Sequence, residues 1–109
     1  MIIGQTLLGG TFSSPWIPKE GDAALFPLEV IAANGTLTMI VQTKKLEDPD
    51  PPSKDSGSIL GSIVEWREGG VKALSGSDVS ELVRYWYVVS GVSSCWVHFR
   101  VLPPAWRMN

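Results

Sequence analysis

The stretch that decides the fold spans residues 84–107 and reads RYWYVVSGVSSCWVHFRVLPPAWR. Apolar and polar side chains alternate along its second half, and successive side chains of a β-strand point to opposite faces of the sheet. One face of this strand is expected to belong to the core, and it carries Cys95, Val97, Phe99 and Val101. The opposite face carries Trp96, His98, Arg100 and Leu102.

The preceding residues, 81–90, alternate in the same way, and their apolar face carries Val83, Tyr85, Tyr87 and Val89. The linker SGVSS favours a hairpin between the two strands. Arg84 sets the register of this hairpin, because a shifted register would bury its guanidinium among the core residues. The predicted register brings five side chains together on the second face of the hairpin: Arg84, Trp86, Trp96, His98 and Arg100.

This shared face of the predicted hairpin has two interpretations. The N-terminal strand or residues 15–18 could cover it, with arginine stems packed on indole rings and their charged ends in water. Alternatively, the face binds a protein partner, since tryptophan and arginine are the residues that anchor protein interfaces. Both interpretations stay open.

The rest of the chain consists of short runs rich in Val, Ile, Thr and aromatic residues, separated by 11 glycines and 8 prolines. Such runs fit a pleated sheet, and there is no strand–helix alternation. The sequence therefore predicts one all-β domain over residues 1–109, an antiparallel β-sandwich or small barrel of about seven to eight strands. A short helix is possible at residues 77–82. We expect strands near residues 2–8, 24–33, 36–45, 58–66, 71–74, 81–90 and 95–102.

The pair Asn34-Gly35 lies between two of these apolar runs. Both residues tolerate a positive φ, which the type I′ turn of a two-residue hairpin requires. We therefore predict that residues 24–33 and 36–45 form a hairpin.

Three segments have a composition that ends or avoids regular strands. Residues 46–57, LEDPDPPSKDSG, contain three prolines and four acidic residues and predict a loop that is either mobile or used for contacts. Pro103-Pro104 ends the last strand. Residues 1–18 and 103–109 are thus possible contact arms, with Trp16, Trp106 and Arg107 as anchors, and each arm either folds back on the domain or docks on a neighbour.

Composition excludes several classes of function. A net charge of −2 gives no positive field for nucleic acid, and the single cysteine offers neither a disulfide framework nor a zinc cluster. The start lacks the features of a secretory signal, and no apolar run approaches a membrane span. We expect no cofactor, no metal, no nucleic acid and no membrane partner, and synthesis in a cytoplasm.

Two constellations could suggest catalysis. Cys95 and His98 are three residues apart in a strand and therefore point to opposite faces, so they cannot exchange a proton. Glu65 and Glu68 flank Trp66 in the manner of a glycosidase carboxylate pair, but acidic residues before Gly-Gly are more typical of a solvated strand end. We expect the chain not to be an enzyme.

Residues 83–107, VRYWYVVSGVSSCWVHFRVLPPAWR, resemble the closing hairpin of small, cysteine-poor β-sandwich proteins encoded among the head and tail genes of tailed bacteriophages. The resemblance implies a non-enzymatic virion protein, such as a capsid decoration or cement protein that binds neighbouring subunits and forms a homo-oligomer. The residues expected to bind a partner are Trp16, Arg84, Trp86, Trp96, His98, Arg100, Trp106 and Arg107. The alternative is a carbohydrate-binding β-sandwich that uses exposed tryptophans.

Overall fold

A computed structural model describes residues 5–65, 70–91 and 94–107 of the chain. This part of the chain is all-β and contains no helix, which confirms the predicted fold class. Residues 77–80, where a short helix was possible, connect two strands without regular structure. The strands are β1 (Gln5–Leu8), β2 (Gly10–Ser13), β3 (Ile17–Pro18), β4 (Ala23–Ala33), β5 (Thr36–Lys44), β6 (Ser58–Glu65), β7 (Gly70–Gly76), β8 (Leu82–Ser90), β9 (Trp96–Val101) and β10 (Ala105–Arg107).

The strands form two antiparallel sheets that pack face to face. In the first sheet, β4 pairs with β7 along one edge and with β9 and then β10 along the other, and β1 pairs with the outer edge of β9. In the second sheet, β8 lies between β5 and the successive strands β2 and β3, and β6 pairs with the outer edge of β5. The predicted arms are part of these sheets as far as the structure describes them, namely residues 5–18 and 103–107.

The core lies between the two sheets and is built from alternate residues of the four long central strands. Phe26 of the first sheet meets Tyr85 of the second at 6.0 Å between ring centroids, and Tyr87 meets Phe99 at 5.1 Å. The predicted apolar faces of both strands in residues 81–102 are confirmed as core faces. Buried core residues include Phe26, Leu28, Val30, Leu37, Met39, Val41, Val83, Tyr85, Tyr87, Val89, Cys95, Val97, Phe99 and Val101.

The prediction of a hairpin at Asn34-Gly35 is wrong. The turn connects β4 of the first sheet to β5 of the second, and neither residue has a positive φ. Glycine is required here by close packing, because a Cβ on Gly35 would lie 2.8 Å from the carbonyl oxygen of Ser90. Asn34 continues the sheet instead, since its Oδ1 accepts a hydrogen bond from the backbone N–H of Trp96 at 2.6 Å.

The predicted hairpin between the last two long strands is also wrong. β8 belongs to the second sheet and β9 to the first, so their apolar faces meet across the core instead of lying side by side. The alternation of side chains is the same in both arrangements, which is why the sequence pattern did not distinguish them. As a consequence, the five outward side chains do not form one patch. Arg84 and Trp86 lie on one side of the sandwich, and Trp96, His98 and Arg100 lie on the other.

Candidate functional site

The predicted partner-binding residues fall into three places. Trp16, Arg84 and Trp86 lie together on the outer face of the second sheet, where Trp16 belongs to the segment between β2 and β3. Trp96, His98 and Arg100 lie on the outer face of the first sheet. Trp106 and Arg107 lie on β10, where the Trp106 ring packs edge-on against Phe26 at 6.0 Å and Arg107 is exposed.

Gln42 organises the outer face of the second sheet. It lies on β5 directly opposite Arg84 of β8 and is 0% exposed, although it is on the outer side of the sheet. Its Oε1 accepts hydrogen bonds from Arg84 Nε at 3.2 Å, Arg84 Nη2 at 2.9 Å and Trp86 Nε1 at 2.6 Å. Its Nε2 donates to the carbonyl oxygens of Ser53 at 2.8 Å and Ser56 at 3.1 Å. Both the oxygen and the nitrogen of the side-chain amide are therefore fully used in hydrogen bonds.

The guanidinium of Arg84 is held between two indole rings. Its central carbon lies 4.5 Å from the centroid of Trp16 and 4.8 Å from that of Trp86. Cations placed over aromatic faces at this distance are attracted by the ring, more strongly where water is excluded. Arg84 is only 9% exposed, so the contact is largely shielded from solvent. The prediction that Arg84 stays outside the core is confirmed. The prediction that only its stem packs on the indole rings while the charged end reaches water is wrong, because the guanidinium itself lies against both rings and is largely buried.

Residues 46–57 cover this cluster. The loop returns over the outer face of the second sheet, where the Pro51 carbonyl accepts a hydrogen bond from Arg84 Nη2 at 3.1 Å. At the start of the loop, Lys44 Nζ pairs with the Asp50 carboxylate at 2.8 Å and lies 5.1 Å from the Trp16 ring centroid. The sequence predicts that this loop is either mobile or used for contacts. In the structure the loop makes contacts, and these contacts are with its own domain.

Two groups at the edge of this cluster have perturbed environments. The hydrogen bond from Lys44 lowers the pKa of the Asp50 carboxyl below its ordinary value, and partial loss of solvation opposes this shift. The Trp16 indole N–H also lowers the pKa of Asp50. Its Nε1 is nevertheless buried and makes no hydrogen bond of good geometry within the described residues. Trp16 therefore has two cations close to its ring, and its polar atom is shielded from water.

Gln42 was not among the predicted site residues. Its hydrogen-bond partners are the side chains of Arg84 and Trp86 on β8 and two carbonyl groups of the loop. Neither type of partner produces a recognisable pattern in the sequence around Gln42. One signal was present in the sequence, because Gln42 is an uncharged polar residue on the outward side of a strand that is otherwise apolar on both sides at Met39, Ile40 and Val41.

The outer face of the first sheet, which we call the open face, has a different character. The Arg100 and Glu29 side chains form an ion pair at its centre. On the same outward side of β4, Leu25 is 40% exposed and Ile31 is 42% exposed, and Trp96 of β9 is half-buried. Ile31 stands at a β-bulge, where the pairing of β4 with β9 shifts between Val30 and Ala32.

The possible catalytic pairs have different outcomes. Cys95 is buried in the core, whereas His98 lies on the outer face, so the prediction that the two point to opposite sides is confirmed. The Glu65, Trp66 and Glu68 constellation lies outside the described side chains. Within residues 5–65, 70–91 and 94–107, no group of three His, Cys, Asp or Glu residues could hold a metal ion. The same residues contain no helix long and apolar enough to cross a membrane.

Comparison with known proteins gives no further assignment. No family model, no curated protein and no solved structure matches this chain.

Proposed function

We propose that this chain is a non-enzymatic structural protein of a virus particle, which binds neighbouring protein subunits as a capsid decoration or cement protein does. The observation that carries the proposal is the difference between the two outer faces. On the second sheet, the domain's own loop covers the cluster around Arg84, and the exposed apolar residues Ile59 and Val64 lie on the outermost strand, β6. On the open face, Leu25 and Ile31 are exposed on the central strand β4, which also carries Glu29 of the Glu29–Arg100 pair. The resemblance of residues 83–107 to phage β-sandwich proteins supplies the setting.

The open face has the chemistry that suits a protein partner. Leu25 and Ile31 offer apolar contacts, and Trp96 adds a half-buried indole. The Arg100 side chain is 42% exposed, so a partner carboxylate can approach its guanidinium beside Glu29. Aromatic residues and arginine are enriched in protein interfaces, and apolar residues form their centres. The proposed occupant of the open face is therefore a protein subunit of the particle surface.

The other predicted anchors contribute less to this surface. Trp16 and Trp86 hold Arg84 between their rings, and Trp106 packs on Phe26. These three indoles stabilise the domain itself. For the same reason, the alternative of a carbohydrate-binding module that stacks sugars on exposed tryptophans has less support, since that mode of binding needs an unoccupied indole face.

The virion proposal is tested by protein mass spectrometry of purified particles from the virus that encodes this chain. We expect the chain to be present in amounts comparable with a shell protein and to remain after the particles are washed at moderate salt. Its absence from purified particles would overturn the proposal.

Self-association through the open face is tested by light scattering over a concentration series. We expect a discrete oligomer that Ile31→Asp converts to a monomer, because a carboxylate at the centre of the interface would be desolvated without a partner. Val64→Asp is the matched control, since Val64 is similarly exposed on β6 of the second sheet. A monomer at every concentration would contradict homo-oligomerisation, and equal effects of the two variants would exclude the open face as the contact.

A further inference from the structure

A cleft with both polar and apolar walls lies beside the covering loop, at the end of β5 and the beginning of β6. Its volume is about 410 Å³, within the range of roughly 300–1,000 Å³ that small-molecule sites occupy. The cleft is lined by residues of the loop, of β5 and β6, and of the segment before β8. These are Thr43, Lys44, Lys45, Asp48, Pro49, Asp50, Pro51, Pro52, Gly57, Ser58 and Ser80.

The charges around the cleft are balanced. Two lysines and two aspartates contribute to its wall, and Lys44 and Asp50 already neutralise one another at 2.8 Å. Lys44 Nζ also donates a hydrogen bond to the Asp48 carbonyl at 2.8 Å, which occupies a second of its donors. The wall thus presents no net field that would favour an anion or a cation.

The cleft nevertheless has hydrogen-bonding capacity that the domain does not use. Lys45, Asp48, Ser58 and Ser80 are among the residues that line it, and their side chains make no hydrogen bond with the described residues. Lysine only donates, a carboxylate only accepts, and a serine hydroxyl does both. A ligand whose neighbouring groups both donate and accept, as hydroxyl groups do, matches this set. The rings of Pro49 and Pro52 add apolar C–H surface.

The walls of the cleft are fixed by contacts behind them. The Thr43 hydroxyl donates to the Leu82 carbonyl at 2.9 Å and accepts from the Ser80 N–H at 2.8 Å, which joins two sides of the cleft. The loop is held by the bonds from Arg84 and Gln42 to its carbonyl groups. A site with pre-positioned walls binds with a smaller loss of conformational entropy.

We propose that this cleft binds a neutral, polyhydroxylated ligand, a monosaccharide or the end of a short glycan. The Asp48 carboxylate accepts hydrogen bonds from ligand hydroxyls, Lys45 donates to them, and Ser58 and Ser80 complete the set. The site uses no tryptophan ring. It is independent of the protein-binding role proposed for the open face, which lies on the other sheet.

The test is a two-dimensional ¹H–¹⁵N NMR titration of the intact chain with the methyl glycosides of glucose, galactose and mannose and with N-acetylglucosamine, at millimolar concentrations. We expect one of these sugars to shift the backbone resonances of Lys45, Asp48, Ser58 and Ser80 in a saturable manner. Asp48→Ala is expected to weaken that binding at least tenfold. Asp55→Ala is the matched control, because Asp55 belongs to the same loop, is exposed and does not line the cleft.

Three results would overturn the proposal. The first is the absence of saturable shifts at the cleft with every sugar. The second is an equal loss of binding in Asp48→Ala and Asp55→Ala, which would place the contact elsewhere on the loop. The third is a stronger response of the same resonances to inorganic phosphate than to any sugar, which would assign the cleft to anions. Since Asp48 is an exposed loop residue, the spectrum of Asp48→Ala also verifies that the variant is folded.

Discussion

Gln42 on β5 lies directly opposite Arg84 on β8, and its side-chain oxygen accepts two hydrogen bonds from the guanidinium. The same oxygen accepts a third bond from the Trp86 indole, while the amide nitrogen donates to two loop carbonyls. One uncharged side chain therefore connects two strands, an indole and the loop. It does so in a position from which water is excluded.

Replacement of Gln42 by alanine should destabilise the domain more than its position on the outward side of the sheet would suggest. The change leaves Arg84 Nε, Trp86 Nε1 and the Ser56 carbonyl without their partner, whereas Arg84 Nη2 keeps its bond to Pro51 and the Ser53 carbonyl keeps its bonds from Ser56. An unsatisfied buried polar group costs about 1–3 kcal/mol, so we expect a total loss of about 2–4 kcal/mol in the free energy of unfolding. Urea denaturation measures it. Thr38→Ala, an outward and half-buried position on the same strand, should cost less than about 1 kcal/mol. Equal losses would show that Gln42 only fills space.

Alkaline pH should destabilise the protein through two buried tyrosines. Burial raises the pKa of Tyr85 and of Tyr87 well above the ordinary value of 10.0. Because the folded state retains protons that the unfolded state releases, this stability is present below pH 10.0 and is lost progressively above it.

The expected slope is about 1.4 kcal/mol per pH unit for each tyrosine. Denaturation at a series of alkaline pH values gives this slope, and Tyr85→Phe or Tyr87→Phe should each remove one tyrosine's share. A slope that is the same in the wild type and both variants would contradict the assignment to these hydroxyls.

Acid should release the start of the covering loop before it unfolds the domain. The pKa of Asp50 is lowered by its hydrogen bond with Lys44, so the ion pair is complete above the ordinary value of 3.8 and is lost as the pH falls through the lowered value. Lys44 lies over the Trp16 ring, and we expect a change in tryptophan fluorescence at that pH while the circular dichroism of the sheets persists. Asp50→Asn should abolish this step, and Asp55→Asn, which removes the Lys54 pair on the same loop, should retain it.

Gly35→Ala tests the turn by which the chain passes from β4 in the first sheet to β5 in the second. A Cβ at this position would meet the Ser90 carbonyl oxygen at 2.8 Å and Cys95 Cβ at 3.0 Å, and backbone atoms cannot easily give way. We expect a loss of about 1–3 kcal/mol in the free energy of unfolding, as for other overpacked positions. Asn34→Ala is the companion variant, because it removes the bond to Trp96 N without adding volume. If Gly35→Ala were as stable as the wild type, the turn between β4 and β5 would pack less closely against Ser90 and Cys95 than the structure has it.

The sequence predicted seven of the strands and both faces of the last two long ones, because alternation is a local property of a half-buried strand. It did not predict β2, β3 and β10, which have two to four residues each and lie among glycines and prolines. Predicted strand residues 2–4 and 66 lie outside the described part of the chain. Short edge strands are defined by the strand they pair with and not by their own composition.

The pairing of the strands and the covering of Arg84 could not be predicted from local pattern. A turn such as Asn34-Gly35 is compatible with a hairpin and with a crossing between sheets, and only the packing of Ser90 and Cys95 against it selects the second. The outward position of Arg84 followed from the cost of burying a charge. The residue that satisfies it, Gln42, is distant in the chain and approaches only once β5 and β8 have paired.

The crossings between sheets have a consequence for the way this chain reaches its fold. In the described residues, β5 and β6 are the only strands that are neighbours both along the chain and within a sheet, and a proline-rich loop of a dozen residues separates them. Almost every other ladder, such as β4 with β9 or β2 with β8, joins distant segments. Chains dominated by such non-local pairing fold in milliseconds to seconds, since loop closure must precede the contacts that reward it. Since the described residues contain no tight hairpin that could serve as an early template, we expect the two sheets to form together.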